Sequence, residues 1–315
     1  MESIFDDVLR NRVDKLYEFL HFGDINIVDQ SGMSLLHYAC LGDSLEVANI
    51  LIENNINLNI VDFSGQTPIF IAVRNKLFAL TKLLADHGAM LNLVNNRGES
   101  LICLATLNGS NQIIDLLLEK SDIDLTISNI NNENVLFYAI KGRKDDLFLK
   151  FAKMEPSLIY AKDFHNTNLL QAAIKYNSLV AFDYLKDKIS LYALDNARNN
   201  AIMYMAKYGN SYMCNQILKL NPIIEGRNGE GENVTEISLA NSYDITHLID
   251  QYKTSYDYIS YLRTYPLHVA VINHDYQILT KYEYDKNKKD IFGQSILDLA
   301  KSVDDKNILM ILAER

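Results

Sequence analysis

The chain is short of the residues that would staple it, ligate a metal or carry it into a membrane. Its 315 residues include three cysteines, Cys40, Cys103 and Cys214, at no spacing that a metal site uses. All three fall inside predicted helices, so they read as buried thiols of a reducing compartment rather than as a disulfide framework. No apolar run approaches the roughly 20 residues of a membrane span. The opening MESIFDD is acidic and lacks the basic, apolar and small-residue succession of a signal peptide. Positive charge is in deficit: 30 Lys and Arg stand against 40 Asp and Glu, giving a net charge of −10 and a pI near 5.2. That balance argues against general binding of nucleic acid or of an anionic membrane. A cytoplasmic protein is expected.

Catalytic signatures are missing as well. Gly226, Gly229 and Gly231 precede no lysine-serine pair and follow no strand, so they form no phosphate-binding loop. There is no nucleophile elbow and no paired-histidine metal motif. The seven histidines, at 21, 37, 87, 165, 247, 268 and 274, are scattered. The carboxylate pairs Asp6/Asp7, Asp145/Asp146 and Asp304/Asp305 are adjacent in sequence and point in different directions on a helix. No catalytic residue, cofactor or metal is assigned, and the chain reads as a non-enzyme.

What the chain has is a period. Asp62 to Ala72 reads DFSGQTPIFIA: a glycine for a tight turn, a threonine suited to cap a helix, and a proline at the first helical position. The phrase recurs 33 residues earlier as DQSGMSLLHYA (Asp29 to Ala39) and 33 later as NNRGESLICLA (Asn95 to Ala105). With the helix cap as ruler, the series is Ser34, Thr67, Ser100, Asn134, Asn168, Asn200, Thr235, Tyr265 and Ser295, at spacings of 30 to 35. Five residues beyond each cap stand Ala39, Ala72, Ala105, Ala139, Ala173, Met205, Ala240, Ala270 and Ala300. A fixed period of this length marks a repeat array. The helix-helix approach then explains the recurring small residue.

The pattern resembles the ankyrin repeat, whose phrase is a hairpin glycine, then TPLHxA, then a second helix and a GADxN-like turn. The nearest copies are SLLHYA (Ser34 to Ala39), TPIFIA (Thr67 to Ala72) and PLHVA (Pro266 to Ala270), with HGAMLN at His87 to Asn92 for the closing turn. Asn132 and Asn166 replace the hairpin glycine in the middle of the chain. The resemblance implies an all-α solenoid of about ten helix-turn-helix units, caps included, joined by short β-hairpin loops. It implies that His37 and His268 hydrogen-bond neighbouring turns, and that a partner protein lies on a concave face made by hairpin tips and first helices.

Residues 1–28 carry two short helical patterns and no hairpin phrase, as an N-terminal cap should. Residues 29–127 hold regular repeats and 128–220 divergent ones, Pro156 ending a helix there. Residues 221–264 form an irregular repeat and junction. The run NPIIEGRNGEGEN (Asn221 to Asn233) reads as a lengthened, mobile hairpin, nine tyrosines crowd Tyr243 to Tyr284, and no hairpin phrase precedes Tyr265. Gln251 to Arg263 is therefore expected to join the repeats as a helical turn. Residues 265–315 hold the last repeats and a C-terminal cap.

The candidate site follows from the exposed slots. Seven residues beyond each cap the chain reads Leu41, Arg74, Leu107, Lys141, Lys175, Lys207, Ser242, Ile272 and Ser302. Eight beyond, it reads Gly42, Asn75, Asn108, Gly142, Tyr176, Tyr208, Tyr243, Asn273 and Val303. Three successive lysines beside three successive tyrosines suggest one lane, suited to an extended peptide carrying carboxylates. Phe63 and Phe164 add apolar side chains at hairpin tips that should be wet. The expected function is protein binding through Lys141, Lys175, Tyr176, Lys207, Tyr208, Tyr243, Phe63, Arg74 and Phe164, by a monomer that binds neither nucleic acid nor membrane. The alternatives are an enzymatic or nucleotide site near 221–233, or a purely structural scaffold.

Overall fold

An aspartate or asparagine at the head of each hairpin holds the turn before any tertiary contact does. Asp29 Oδ1 accepts from the N–H groups of Ser31 and Met33, and Asp62, Asn95, Asn129, Asp163, Asn228 and Asp290 repeat the arrangement. Three residues on, the backbone turns left-handed: Gly32, Gly65 and Gly98, then Asn132, Asn166 and Arg198, then Gly231 and Gly293 all have φ between +58° and +84°. Asparagine tolerates that region better than most residues, which is why Asn132 and Asn166 can stand in for glycine. Isolated antiparallel bridges such as Val28–Ser34 and Val94–Ser100 close the turns.

A computed structural model of the protein describes residues 3–120, 123–241, 243–282, 285, 288–303 and 305–313, with the side chains of Tyr243, Asp244, Tyr256 and Asp257 outside the description. Ser242, Tyr284 and Asp304, named above, lie outside the described residues. The chain divides into two compact units, Met1–Leu158 and Ile159–Arg315.

In the first unit the helices run in pairs: α1 (Ile4–Leu9) with α2 (Val13–Leu20), α3 (Leu35–Leu41) with α4 (Leu45–Glu53), α5 (Pro68–Arg74) with α6 (Phe78–Asp86), α7 (Leu101–Asn108) with α8 (Asn111–Glu119), and α9 (Val135–Lys141) with α10 (Asp145–Met154). The first members stack in the order α1, α3, α5, α7, α9, and the second members in the order α2, α4, α6, α8. A first helix sandwiched on two sides must be apolar nearly all round. Accordingly Pro68 to Val73 and Leu101 to Thr106 are buried without a break, and Ala39, Ala72, Ala105 and Ala139 are fully buried.

The second unit begins within a 3₁₀ turn, Pro156–Tyr160. It holds α11 (Leu169–Lys175) with α12 (Leu179–Leu185), α13 (Ala201–Tyr208) with α14 (Ser211–Leu218), and α15 (Val234–Asn241) with α16 (Tyr243–Lys253). A lone helix, α17 (Tyr256–Thr264), then precedes α18 (Pro266–Ile272) with α19 (Tyr276–Lys281), and α20 (Ile296–Val303) with α21 (Lys306–Ala313). Within it α11 packs on α13 and α13 on α15, while α18 packs on α20 and α19 on α21. The junction without a hairpin phrase is thus a full helix, α17, which touches α16 and α18.

The seventh repeat starts two residues earlier than the cap series implies. Asn233, not Thr235, caps α15: its Oδ1 accepts from Glu236 N–H, and its own N–H donates to the Glu236 carboxylate. Ser238 then occupies the buried small-residue slot, while Ala240 is exposed. The preceding segment is also less free than its glycines suggest. Tyr192 and Tyr258 hydroxyls accept from the N–H groups of Ile223 and Ile224, and Tyr252 donates to the Pro222 carbonyl.

His37 shows how a polar side chain is accommodated inside such a stack. Its Nδ1 accepts from Ser34 N–H at 3.0 Å, which leaves Nε2 protonated to donate to the Gln66 carbonyl at 2.9 Å. One neutral tautomer therefore ties the cap of α3 to the next turn. His268 reaches the Gln294 carbonyl likewise, at 3.1 Å. Burial draws the His37 pKa below the ordinary histidine value, against the opposing pull of Gln66, Asp62 and Asp29. The unfolded chain then binds a proton that the folded chain refuses. Stability should fall as pH drops below about 6.5 and continue falling toward the lowered folded pKa. Melting curves between pH 7.5 and 5.5 should show a shallower decline for His37→Gln than for the wild type, and equal declines would contradict this role.

Candidate partner-binding surface

The seven-beyond slot is the last turn of each first helix. Arg74, Lys141, Lys175 and Lys207 are the basic residues of the last turns of α5, α9, α11 and α13. A cation there interacts favourably with the helix dipole, by about 0.3–1 kcal/mol. Each helix therefore gains something from its own lysine, and recurrence alone does not define a site. The surroundings separate the four.

Lys141 is a structural cation. Its ammonium pairs with Glu133, a carboxylate that is itself buried. Asn129 Nδ2 donates to Glu133 at 3.0 Å and to the Tyr138 hydroxyl at 2.9 Å, and that hydroxyl donates to Glu99 at 3.2 Å. Burial pushes the Tyr138 hydroxyl well above its ordinary range. The network ties two hairpins to α9, and Leu107 and Ile130 complete the wall of a shallow groove of about 340 Å³. Arg74 is exposed at the end of α5, where its carbonyl accepts from Asn108 Nδ2.

Lys175 and Lys207 are arranged differently. Both are exposed, and each ammonium lies over the ring of the next residue: 5.7 Å from the Tyr176 centroid and 5.5 Å from that of Tyr208. Tyr208, 41% exposed, leans on Tyr204 at 5.7 Å, and the Tyr204 hydroxyl is anchored on Asp195 at 2.9 Å. Among the described residues neither lysine forms a salt bridge. Because α11 packs on α13, the Lys-Tyr pair is repeated on adjoining helices. Tyr243 does not extend the row in register: with α15 capped by Asn233, its seven- and eight-beyond slots are Ala240 and Asn241, and Tyr243 opens α16. Its side chain lies outside the described residues.

The two tip phenylalanines belong to different units. Phe63 is 76% exposed, and its ring lies across the neighbouring tip, where a Cβ on Gly32 would meet it at 3.0 Å. The Phe63 N–H donates to the Ser31 carbonyl, the first rung of a backbone ladder continued by Asn96 to Ser64 and Ile130 to Arg97. Phe164 is 70% exposed and meets His165 edge-on at 5.7 Å.

Charge divides unequally between the units. Residues 1–158 carry 13 Lys and Arg against 21 Asp and Glu, whereas residues 159–315 carry 17 against 19. The acidic excess is thus concentrated in the first unit, away in sequence from Lys175 and Lys207. Cys40, Cys103 and Cys214 are free and buried, and burial pushes the Cys103 and Cys214 thiols up to about 12. Among the described residues no group of three or more His, Cys, Asp or Glu side chains could hold a metal ion, and no helix is long and apolar enough to cross a membrane.

One feature leaves little mark on the sequence, a cleft walled by tyrosines of α16 and α17. The density of tyrosine from 243 onward was its only trace, because which rings meet depends on the path of α17.

Comparison with known families agrees with the period and the stacked pairs. The model described as "Ankyrin repeats (3 copies)" matches residues 8–95. No curated protein matches the chain. Ankyrin repeats are generally protein–protein interaction modules and typically non-catalytic. With its phrase, stacked helix pairs and family match in agreement, the chain carries ankyrin repeats, matched by that family model over residues 8–95.

Proposed function

We propose that the protein is a non-catalytic binding module that takes a carboxylate-bearing segment of a partner protein on Lys175, Tyr176, Lys207 and Tyr208. The observation that carries this reading is the exposed lysine that ends α11 and recurs in the last turn of α13, each lying over the ring of the tyrosine that follows it, with both ammonium groups lacking a salt bridge among the described residues. A row of such pairs offers an extended acidic peptide one charge and one ring face per repeat. Tyrosine supplies apolar area with few rotors to freeze, which suits an anchor. Phe164 of the same unit would extend the contact at the hairpin tip. Phe63 and Arg74 of the first unit would belong to a second patch for the same partner. The working compartment is the cytoplasm, where three buried free thiols are stable.

The test is capture of the partner from native-cell lysate. The double reversal Lys175→Glu/Lys207→Glu should abolish capture while leaving the melting temperature within about a degree or two of wild type, since exposed substitutions usually act within ±0.5 kcal/mol. Tyr208→Ala should weaken binding roughly 5- to 150-fold, the equivalent of about 1–3 kcal/mol. Lys141→Glu provides the contrast: it leaves Glu133 buried against a like charge, so it should lower stability. Undiminished capture by the double reversal would place the binding site elsewhere.

A further inference from the structure

Where a hairpin would join the seventh and eighth repeats, α17 opens a cleft of about 500 Å³. That volume lies within the range of small-molecule sites. Tyr252, Tyr258, Tyr261, Tyr265 and Phe292 wall it, with Lys219 at the rim. The rings are mutually braced: Tyr252 meets Tyr258 at 4.8 Å, Tyr261 meets Tyr265 at 5.0 Å, and Tyr261 meets Phe292 at 5.5 Å.

Three of the tyrosine hydroxyls are already committed to the fold. Tyr252 donates to the Pro222 carbonyl, Tyr258 to Glu225 and Tyr261 to Asp290. The cleft therefore offers these rings chiefly as faces and edges, surfaces that favour another aromatic ring in offset or edge-on contact. Hydrogen-bonding capacity comes from Asn215, Asn221, Ser260 of α17 and its cap Ser255. Charge is one-sided. In a chain of net −10, no aspartate or glutamate lines this cleft among the described residues, and its one lining cation is Lys219, which makes no salt bridge among them.

We propose that this cleft is a binding site for a planar aromatic ligand carrying an anionic group, its ring against the tyrosine wall and its anion at Lys219. The site is separate from the Lys-Tyr surface of α11 and α13 and stands or falls independently of it.

Two fluorescent probes test it: 8-anilinonaphthalene-1-sulfonate and its uncharged relative N-phenyl-1-naphthylamine, each titrated into the full-length protein. The wild type should bind the sulfonate saturably at one site, about tenfold tighter than the neutral probe, a preference typical of one additional charge-assisted contact. Lys219→Glu should erase that preference while keeping the neutral probe bound. Phe292→Ala, a change at a 42% exposed tip residue, should weaken both probes about tenfold or more with little change in melting temperature. Absence of saturable binding, or probe binding indifferent to Phe292→Ala, would overturn the site. Equal wild-type affinity for the two probes would overturn the anionic character of the ligand.

Discussion

Tyr261→Ala is expected to unfold the C-terminal repeats selectively, at a cost of about 3–5 kcal/mol, the scale for truncating a buried aromatic ring. Tyr261 is 5% exposed and belongs to the apolar cluster that includes Ala270, Val271, Leu279, Ile296 and Leu299. Its hydroxyl donates to Asp290 Oδ2 at 2.8 Å, while Asp290 Oδ1 holds the last hairpin through the N–H groups of Phe292 and Gln294. Elsewhere that duty falls to a tyrosine on the first helix of the same repeat, Tyr38 for Asp29 and Tyr204 for Asp195. The last repeat has Leu299 at the equivalent position, so α17 supplies the missing hydroxyl from outside the repeat. Tyr261→Phe separates the two contributions: keeping the ring but stripping a donor from a buried carboxylate should cost about 1–3 kcal/mol. Repeats couple chiefly to their neighbours. Hydrogen exchange should therefore accelerate across residues 266–303 in Tyr261→Ala while residues 35–117 keep their protection. Uniform acceleration, or none, would show that α17 is not the brace.

The regular part of this fold was legible because its rules are local. An Asx at the head of a turn, a left-handed residue three later, a cap and a small residue five beyond it are each fixed by backbone chemistry, so they survive as letters. Where the same geometry is met by another residue the letters fail. Arg198 adopts φ +62° at a hairpin glycine position, and Asp43, Lys76, Arg143, Asn177 and His274 adopt φ between +50° and +60° between paired helices. Nothing in Arg198, Lys76 or Arg143 announces a left-handed turn, and neighbouring packing must hold them there. The candidate surface was half legible. Side-chain order along the helices identified the basic last turns, but only the partner of each lysine distinguishes them. Lys141 serves Glu133, eight residues back in sequence; Lys175 and Lys207 rest on the tyrosines beside them. The cleft at α17 was illegible, because it exists only through the path the chain takes when a hairpin is missing.

The seventh repeat allows the register itself to be tested. A threonine cap at 235 and an alanine at 240 fit the period, yet the spacing Asn233-x-x-Glu236 is a capping box, and reciprocal hydrogen bonds make it the true start of α15. The buried slot consequently falls on Ser238, which is 0% exposed and is sealed by a hydrogen bond from Thr246 Oγ1 at 3.0 Å. Forcing a leucine into a slot of that size drives neighbouring side chains off their rotamers, at about 1–3 kcal/mol. Ser238→Leu should therefore depress the melting temperature, as a leucine at the equally buried Ala72 should, with a further loss because the hydrogen bond from Thr246 Oγ1 to Ser238 is removed. Ala240→Leu, on the exposed side of α15, should act within about ±0.5 kcal/mol. The contrast between positions two residues apart discriminates sharply on a helix, where a two-residue step turns a side chain by roughly 200°. If Ala240→Leu proved the damaging change and Ser238→Leu the tolerated one, α15 would start at Thr235, and Tyr243 would return to the row begun by Tyr176 and Tyr208.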